Sequence, residues 1–288
     1  MTTRPVTERA GPHPATASIG AALRDATARL KATSDTPRLD AELLLADVLG
    51  SGRERLILDR DLPLESADAD RFAGLLARRQ AREPIAYILG RREFRYLTLA
   101  VDPRVLIPRP ETELLVEAGL GLAHGASVLD VGSGSGAVAL ALKHERPDLD
   151  VAGIDISGDA VTVARCNAAT LNLDVNFTVG DLLGPGRYDA VLANLPYIAD
   201  GAELIDDVAR YEPAGALRGG ADGLDLIRRL TRIIGTRPPA DRPGLLALEI
   251  GADQGPAVAA LVAAAGYAAV RVETDLAGLD RIVVGSAR

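Results

Sequence analysis

The 288-residue sequence contains one cysteine and no tryptophan, and only 3% of its residues are aromatic. A lone Cys166 excludes an intrachain disulfide and any zinc cage built on cysteines. That usage suits a reducing, cytoplasmic setting. With so few rings the core must be aliphatic, filled from the Ala, Leu and Val that dominate the apolar 48%. Long apolar runs are missing as well. The longest, Pro256 to Val270, contains Gly266 and falls short of the roughly 18 residues that span a bilayer, so no membrane partner is expected. The opening stretch "MTTRPVTERAGPHPATAS" carries arginines with no apolar run behind them, and residues 1–17 read as a disordered tail, not a signal peptide.

What is present is unevenly charged. The net charge is −8, yet residues 1–109 hold 18 Lys/Arg against 15 Asp/Glu, and residues 110–288 hold 14 against 25. Arg78, Arg79, Arg82, Arg91, Arg92, Arg95, Arg104 and Arg109 crowd the end of the first part. Two readings follow: solvated faces of a helix and a hairpin, or a docking surface for an acidic partner. The strongly acidic second part disfavours wrapping a nucleic acid backbone there, so direct nucleic acid binding is not expected.

Residues 18–85 read as a small helical domain. Ile19, Leu23, Ala26 and Leu30 recur at helical spacing behind a Ser18 cap, and "TPRLDAELLLADVLG" opens on Pro37 and stops on Gly50. "SGRERLILDRD" and "SADADRFAGLLARRQ" supply two more helices, joined by loops short enough for antiparallel bundle packing. Residues 86–110 lose the helical period, alternate apolar with polar, and read as a β-hairpin linker running into "IPRPETE". From 111 to 288 the pattern is α/β: a helix, then strands at 127–132, 151–157, 176–181, 189–195, 244–251, 268–274 and 281–286, with helices between the first six. The first five strands read as apolar on both faces, as parallel strands covered by helices should be. "DLAGLD" is too short for a helical crossover, so the last strand must run antiparallel. The expected fold is a doubly wound, mostly parallel sheet ending in an antiparallel hairpin.

"LDVGSGSGAVALAL" follows the first of these strands and opens a helix, with Gly132, Gly134 and Gly136 interleaved by Ser133 and Ser135. Glycines let a backbone approach a ligand and take positive φ at no steric cost. A tight turn without a ligand would look the same. Asp155 narrows the choice: 19 residues past Gly136, at the end of the second strand, a carboxylate can accept both hydroxyls of a ribose. It could equally cap the next helix, although Ser157 is there for that. Asp130 beside the loop is awkward for a pyrophosphate but suits a cationic ammonium or sulfonium, which favours S-adenosylmethionine over a dinucleotide. Asp181, ending the third strand, sits where an adenine amino group could be received.

The fourth strand ends in Asn194-Leu195-Pro196-Tyr197. In such a sheet ligands bind outside the carboxyl ends of the strands. A planar amide or aryl amine is a poor nucleophile because its nitrogen lone pair is delocalised. To methylate it, a protein should hold both N–H hydrogens and aim the lone pair at the methyl. The Asn194 side-chain oxygen can accept one, and a strand-end carbonyl whose direction is biased by Pro196 can accept the other. Tyr197 offers a flat face to a flat substrate.

The chain resembles the release factor glutamine N5-methyltransferases over nearly its whole length. The resemblance is carried by "YILGRREF", "VDPRVLIPRPETELLVE", "LDVGSGSGAVALAL", "GIDIS", "NLPYI", "YEPAGALRGGADGLDLIRRL", "LALEIGADQG" and "DLAGLDRIVV". It implies a helical domain that helps dock the protein substrate, S-adenosylmethionine as donor with S-adenosylhomocysteine as product, and a peptide chain release factor as partner. The implied acceptor is the glutamine of a Gly-Gly-Gln loop. By the same resemblance Gly132 to Gly136, Asp155, Leu182 and Asn194 contact the cofactor, and Asn194 to Tyr197 hold the glutamine amide. The enzyme is expected to act as a monomer. Two positions depart from the family pattern: Leu195 stands where Pro is usual, and Leu182 where an aromatic often covers the adenine. Restoring Pro at 195 is expected to be neutral or mildly activating. The Asn-Leu-Pro-Tyr form also resembles ribosomal RNA adenine dimethyltransferases. An adenine-N6 methyltransferase and a non-catalytic cofactor-binding adaptor are therefore the alternatives.

Overall fold

Ser18 accepts a hydrogen bond from the backbone N–H of Ala21 at 3.3 Å, and from there the chain turns helical. The computed structural model of the protein describes residues 17–287, so the tail expected over 1–17 lies, but for its last residue, outside them. The chain divides after Leu89 into two compact units. The first holds α1 (Ile19–Leu30), α2 (Pro37–Val48), α3 (Arg53–Leu58), α4 (Ser66–Gln80) and α5 (Ile85–Leu89). Ile19, Leu23, Ala26 and Leu30 are all buried, as their spacing predicts, in one cluster with Leu44, Leu45, Phe72 and Leu76. Helix α5 is a correction, because residues 86–89 read in sequence as part of the hairpin linker. The N–H groups of Tyr87 and Ile88 both donate to the Pro84 carbonyl, and a single such turn is too short to leave a periodic signal.

Arg78 and Arg79 of the crowded stretch are both bound within the first unit. Arg79 is buried and bonds Asp40 at 2.7 Å, whose carboxylate also accepts the hydroxyls of Ser34 and Thr36, so the buried charges are matched. Arg78 pairs with Glu83.

In the second unit β1 (Arg91–Phe94) and β2 (Leu97–Ala100) form the expected hairpin. It does not act as a linker. Phe94, Leu97 and Leu99 are buried in the same cluster as Val128, Leu140 and Leu192 of the α/β core. Arg95 in the hairpin turn bonds Glu117 and Glu145. Asn167 completes the attachment: it accepts the N–H of Ala100 at 2.8 Å and donates to the carbonyls of Ala100 at 3.0 Å and Ser135 at 2.9 Å. The compact unit therefore starts at Gly90, not at 111.

After α6 (Glu113–Leu120) come β3 (Ser127–Val131), α7 (Ala137–Glu145), β4 (Asp150–Asp155), α8 (Gly158–Leu171), β5 (Asn176–Val179) and β6 (Ala190–Ala193). Then follow α9 (Asp206–Tyr211), α10 (Asp225–Gly235), β7 (Leu245–Glu249), α11 (Gly255–Ala264), β8 (Ala269–Thr274) and β9 (Asp280–Ser286). The sheet order is β5-β4-β3-β6-β7-β9-β8, with β3 to β7 mutually parallel and β9 antiparallel to both its neighbours. This is the doubly wound sheet with a closing hairpin that the strand pattern predicts. Two details differ. No helix joins β5 to β6, because Gly184, Pro185 and Gly186 break the connection while Leu182 and Leu183 plug into the core. And β5, at the sheet edge, buries only Phe177, so it is not apolar on both faces. No helix among the described residues is long and apolar enough to cross a membrane.

The chain runs outward from β3 to β5, then returns to lay β6 on the other side of β3. The carboxyl ends of β3 and β6 thus flank the topological switch point, where a crevice opens.

Candidate active site

That crevice is a cavity of about 510 Å³ lined by Asp130, Gly132 to Ser135, Asp155, Asp181, Leu182, Asn194, Leu195 and Pro196, among others. Most of the residues singled out in the sequence therefore meet there. Gly136 and Tyr197 are absent from the lining. Gly136 packs behind the loop against Phe177, and Tyr197 lines a second cavity of about 310 Å³ together with Asn194, Arg109, Ile205 and Glu249. Asn194 lies on the wall of both.

The glycine loop is held by backbone chemistry. Gly132, Gly134 and Gly136 have φ of +75°, +54° and +84°. The N–H groups of Gly132 and Ser133 donate to Ile154 of β4, and a Cβ on Gly132 would stand 3.3 Å from the Asn194 carbonyl oxygen. The loop thereby brings β3, β4 and the end of β6 together. Asp155 accepts from Gly134 N at 2.8 Å and from Ser157 N at 2.9 Å, while Ser157 itself caps α8 by accepting from Ala160 N at 3.2 Å. So Asp155 does not cap the helix; it tethers the loop. The Ser133 hydroxyl is buried in this wall with no protein partner, a cost a ligand oxygen or nitrogen would relieve.

Asp130 is 2% exposed and accepts from Ala139 N, in the first turn of α7, at 3.2 Å. Burial pushes its carboxyl up to about 7, opposed by the Ala139 bond and assisted by the nearby charge of Asp155. A positive charge in the cavity would stabilise the ionised form. Asp181 stands at the rim with its carboxylate taken by Arg229 of α10 at 2.6 Å, so its expected role toward an adenine is shared with an arginine. Leu182 is buried with φ of +55°, an uncommon conformation for a side chain without a polar group to hold it. Among the described residues no cluster of His, Cys, Asp and Glu could hold a metal ion.

The backbone after Asn194 is clamped. Tyr197 O accepts from Gln254 Nε2 at 2.9 Å, Ile198 N donates to Leu217 O, and Gly219 N donates to Ile198 O. A Cβ on Gly223 would stand 2.1 Å from Tyr197 O, so only glycine lets "GGADG" approach so closely. Leu195 is buried in the cluster of Leu129, Val131 and Leu248, beneath the glycine loop.

Sequence reasoning gave no role to four residues that organise this region: Thr112, Glu212, Glu249 and Gln254. Glu212 of "YEP" accepts the Ile107 N–H at 3.1 Å and bonds Arg109, fastening "IPRP" beside the site. Arg104 is paired with Asp102, so Arg95, Arg104 and Arg109 each have an acidic partner within this unit. Glu249 ends β7 at 2% exposure, and burial pushes its carboxyl up to about 7; the Tyr197 hydroxyl donates to its Oε1 at 3.4 Å, while Oε2 is buried without a partner. Burial, with the charge of Glu249 beside it, holds the Tyr197 phenol well above its ordinary range. All four lie inside the quoted motifs, but what they touch depends on strands far apart in sequence.

A family model described as the PrmC N-terminal domain matches residues 21–90, and one described as the methyltransferase small domain matches residues 110–211. The release factor glutamine methyltransferase of Burkholderia pseudomallei is 44% identical over 269 residues, spanning 88% of this chain and 93% of that protein. That of Rhodospirillum rubrum is 41% identical, spanning 90% of this chain and 82% of that protein. A solved methyltransferase from Pyrococcus furiosus, 16% identical, superposes with a TM-score of 0.51 over 73% of this chain and 98% of its own, a likeness of fold alone. With this identity over this much of both chains, the protein belongs to the release factor glutamine methyltransferase family.

Proposed function

We propose that this protein transfers a methyl group from S-adenosylmethionine to the side-chain amide nitrogen (N5) of the Gly-Gly-Gln glutamine in a peptide chain release factor. The observation that carries the reading is the position of Asn194, on the wall shared by two cavities, one lined by the glycine loop and Asp155, the other by Tyr197. A residue there touches donor and acceptor at once. S-adenosylmethionine supplies an electrophilic methyl on a positively charged sulfur and leaves as neutral S-adenosylhomocysteine. The residues fit it: Asp155 for the ribose, Gly132 to Gly136 and Ser133 for close backbone approach, Leu182 for apolar cover, and Asp130 for the positive charge.

On the acceptor side, Asn194 Oδ1 accepts one N–H of the amide and turns its lone pair towards the donor cavity. The strand-end backbone, clamped by Gln254 and the glycines at 219 and 223, supplies the second acceptor in a fixed place. Positioning of this kind lowers barriers by on the order of 7–11 kcal/mol in favourable models. Tyr197 lies flat against the amide. The helical unit docks the release factor. The enzyme works as a cytoplasmic monomer and does not bind nucleic acid directly, in keeping with the acidic excess of residues 110–288.

The test offers labelled S-adenosylmethionine with a release factor and with ribosomal RNA side by side. Label on the release factor glutamine is expected. Label on RNA adenine alone would replace this reading with the adenine-N6 one, and label on neither, with the cofactor still bound, would leave an adaptor.

A further inference from the structure

Between Ile198 and α9 the chain runs along the smaller cavity as an irregular segment, and Glu203, Leu204, Ile205 and Val208 line that cavity. Nothing apolar anchors this stretch. Residues 199–211 include no buried side chain, α9 is six residues long, and Ile205 is 70% exposed. So short a helix is not stable by itself. The place of the segment must therefore come from hydrogen bonds.

Those bonds converge on "LRGGADG". Ile198 N donates to Leu217 O and Gly219 N to Ile198 O, so the chain enters the segment already fixed. Asp200 N then donates to Gly220 O at 3.0 Å. The next tie comes from a side chain. Arg218 Nη1 donates to Ala199 O at 2.5 Å and to Ala202 O at 2.9 Å, one hydrogen for each carbonyl. Ala202 N bonds the same Ala199 carbonyl at 3.0 Å, closing a turn beside the guanidinium. Both arginine bonds run to backbone, so they set the path of the chain. A charged donor holds a carbonyl about twice as strongly as a neutral one. Arg218 is half-buried and lies on the wall of neither cavity.

We propose that Arg218 is a positioning residue for the protein substrate: by holding the carbonyls of Ala199 and Ala202 it keeps Glu203 to Ile205 in place as a preset lip of the cavity that receives the acceptor glutamine. The inference rests on the reading of that cavity under Proposed function. Arg218 touches neither cofactor nor acceptor and acts through the lip. Without it the lip is ordered only when the release factor binds, and that ordering is subtracted from the binding.

The experiment compares Arg218→Met and Arg218→Lys with the wild type in the full chain. It measures kcat and KM for the release factor, S-adenosylmethionine affinity by calorimetry, and amide hydrogen exchange over residues 199–208. Methionine keeps the apolar stem and removes both donors. A lip in place only about a tenth of the time lowers apparent substrate affinity by about tenfold. Arg218→Met is therefore expected to raise KM by about tenfold, with kcat at saturation and cofactor affinity within about twofold. Exchange over 199–208 should quicken in the free variant and slow again with release factor bound. Lysine keeps a charged donor on a similar stem and should bring KM at least halfway back on a logarithmic scale. Wild-type KM or unchanged exchange in Arg218→Met overturns the proposal, as does a loss that kcat or cofactor affinity shares, or one that lysine does not recover. Should Arg218→Met not fold, a raised KM at unchanged kcat in Arg218→Gln supports the brace, and a wild-type KM there overturns it. Asn194→Ala is measured alongside. If it is slow while Arg218→Met keeps the wild-type KM, only the brace fails; if it turns over at the wild-type rate, the reading of the cavities itself fails.

Discussion

The two cavities that meet at Asn194 are built by opposite means. The larger one is made of backbone: three glycines with positive φ, N–H groups tied to Ile154 and Asp155, and almost no side-chain network. The smaller one is walled by side chains, Asn194, Tyr197 and Glu249 among them, with Asn194 bonded to Thr112 behind it and Tyr197 to Glu249, brought from three separate stretches of chain. A backbone-built site recognises a ligand that never changes. A side-chain network can hold a weak nucleophile in one orientation, which backbone alone cannot select. If that division is right, substitutions on one side should change affinity and those on the other should change rate.

The largest effect is expected at the junction. Asn194→Ala should leave the fold intact and lower kcat by on the order of 10²–10³, as loss of one positioned group in a water-poor site does. Steady-state kinetics against a glutamine-bearing release factor, with cofactor affinity measured in parallel, checks it. Equal losses in both would erase the contrast between the cavities.

Asp155→Ala tests the backbone side. Removing it takes away the proposed ribose contact and frees Gly134 N, so S-adenosylmethionine binding should weaken by about 1.5–3 kcal/mol with a much smaller change in kcat at saturation. Calorimetry on folded protein decides the point, and unchanged affinity would take Asp155 out of the site.

Leu195→Pro sharpens the comparison, and here the structure revises the expectation of neutrality. The Leu195 side chain is buried under the glycine loop, so replacing it with the smaller ring should cost about 1–3 kcal/mol of stability. The melting temperature should fall, while kcat per folded molecule stays at or above wild type because φ is fixed. A drop in kcat without a drop in melting temperature would contradict the packing role.

The smallest effect on cofactor recognition is expected from Asp130→Asn. The folded-state carboxyl titrates near 7 against an ordinary 3.8, so burying its charged form disfavours the fold at high pH. As pH falls from about 7 towards 4 the folded state takes up the proton first and stability rises; asparagine shows no such dependence. Unliganded Asp130→Asn should therefore be the more stable protein at pH 8, with the difference fading below about pH 4. It should also discriminate less between S-adenosylmethionine and S-adenosylhomocysteine, by on the order of 1 kcal/mol. Melting curves across pH and paired calorimetric titrations measure both.

The same division explains what was legible in sequence. Gly132 to Gly136, Asp155 and Asn194 announce themselves because each sits at a strand end in a local pattern, and the strand ends meet wherever a doubly wound sheet forms. Thr112 and Asn194 are 82 residues apart, and Ile107 and Glu212 are 105 apart. Their pairing depends on β6 lying between β3 and β7, which periodicity does not reveal. The hairpin was misplaced for a related reason: alternation identifies strands, but only the burial of Phe94, Leu97 and Leu99 says which core they join. The arginine stretch stayed ambiguous because charge counts carry no partners, and only the structure shows Arg79 and Arg95 as interior braces.

The strand order also ties the end of the chain to the site. β8 touches the sheet only through β9, and β9 separates it from β7. The turn at Asp275–Leu279 brings β9 back alongside β8 and against β7, where it covers the edge of β7 with Ile282, Val283 and Val284. Glu249 stands on that edge, opposite Ile282. The burial of a carboxylate beside Tyr197 therefore depends on the last strand of the chain, the one that runs against the rest of the sheet.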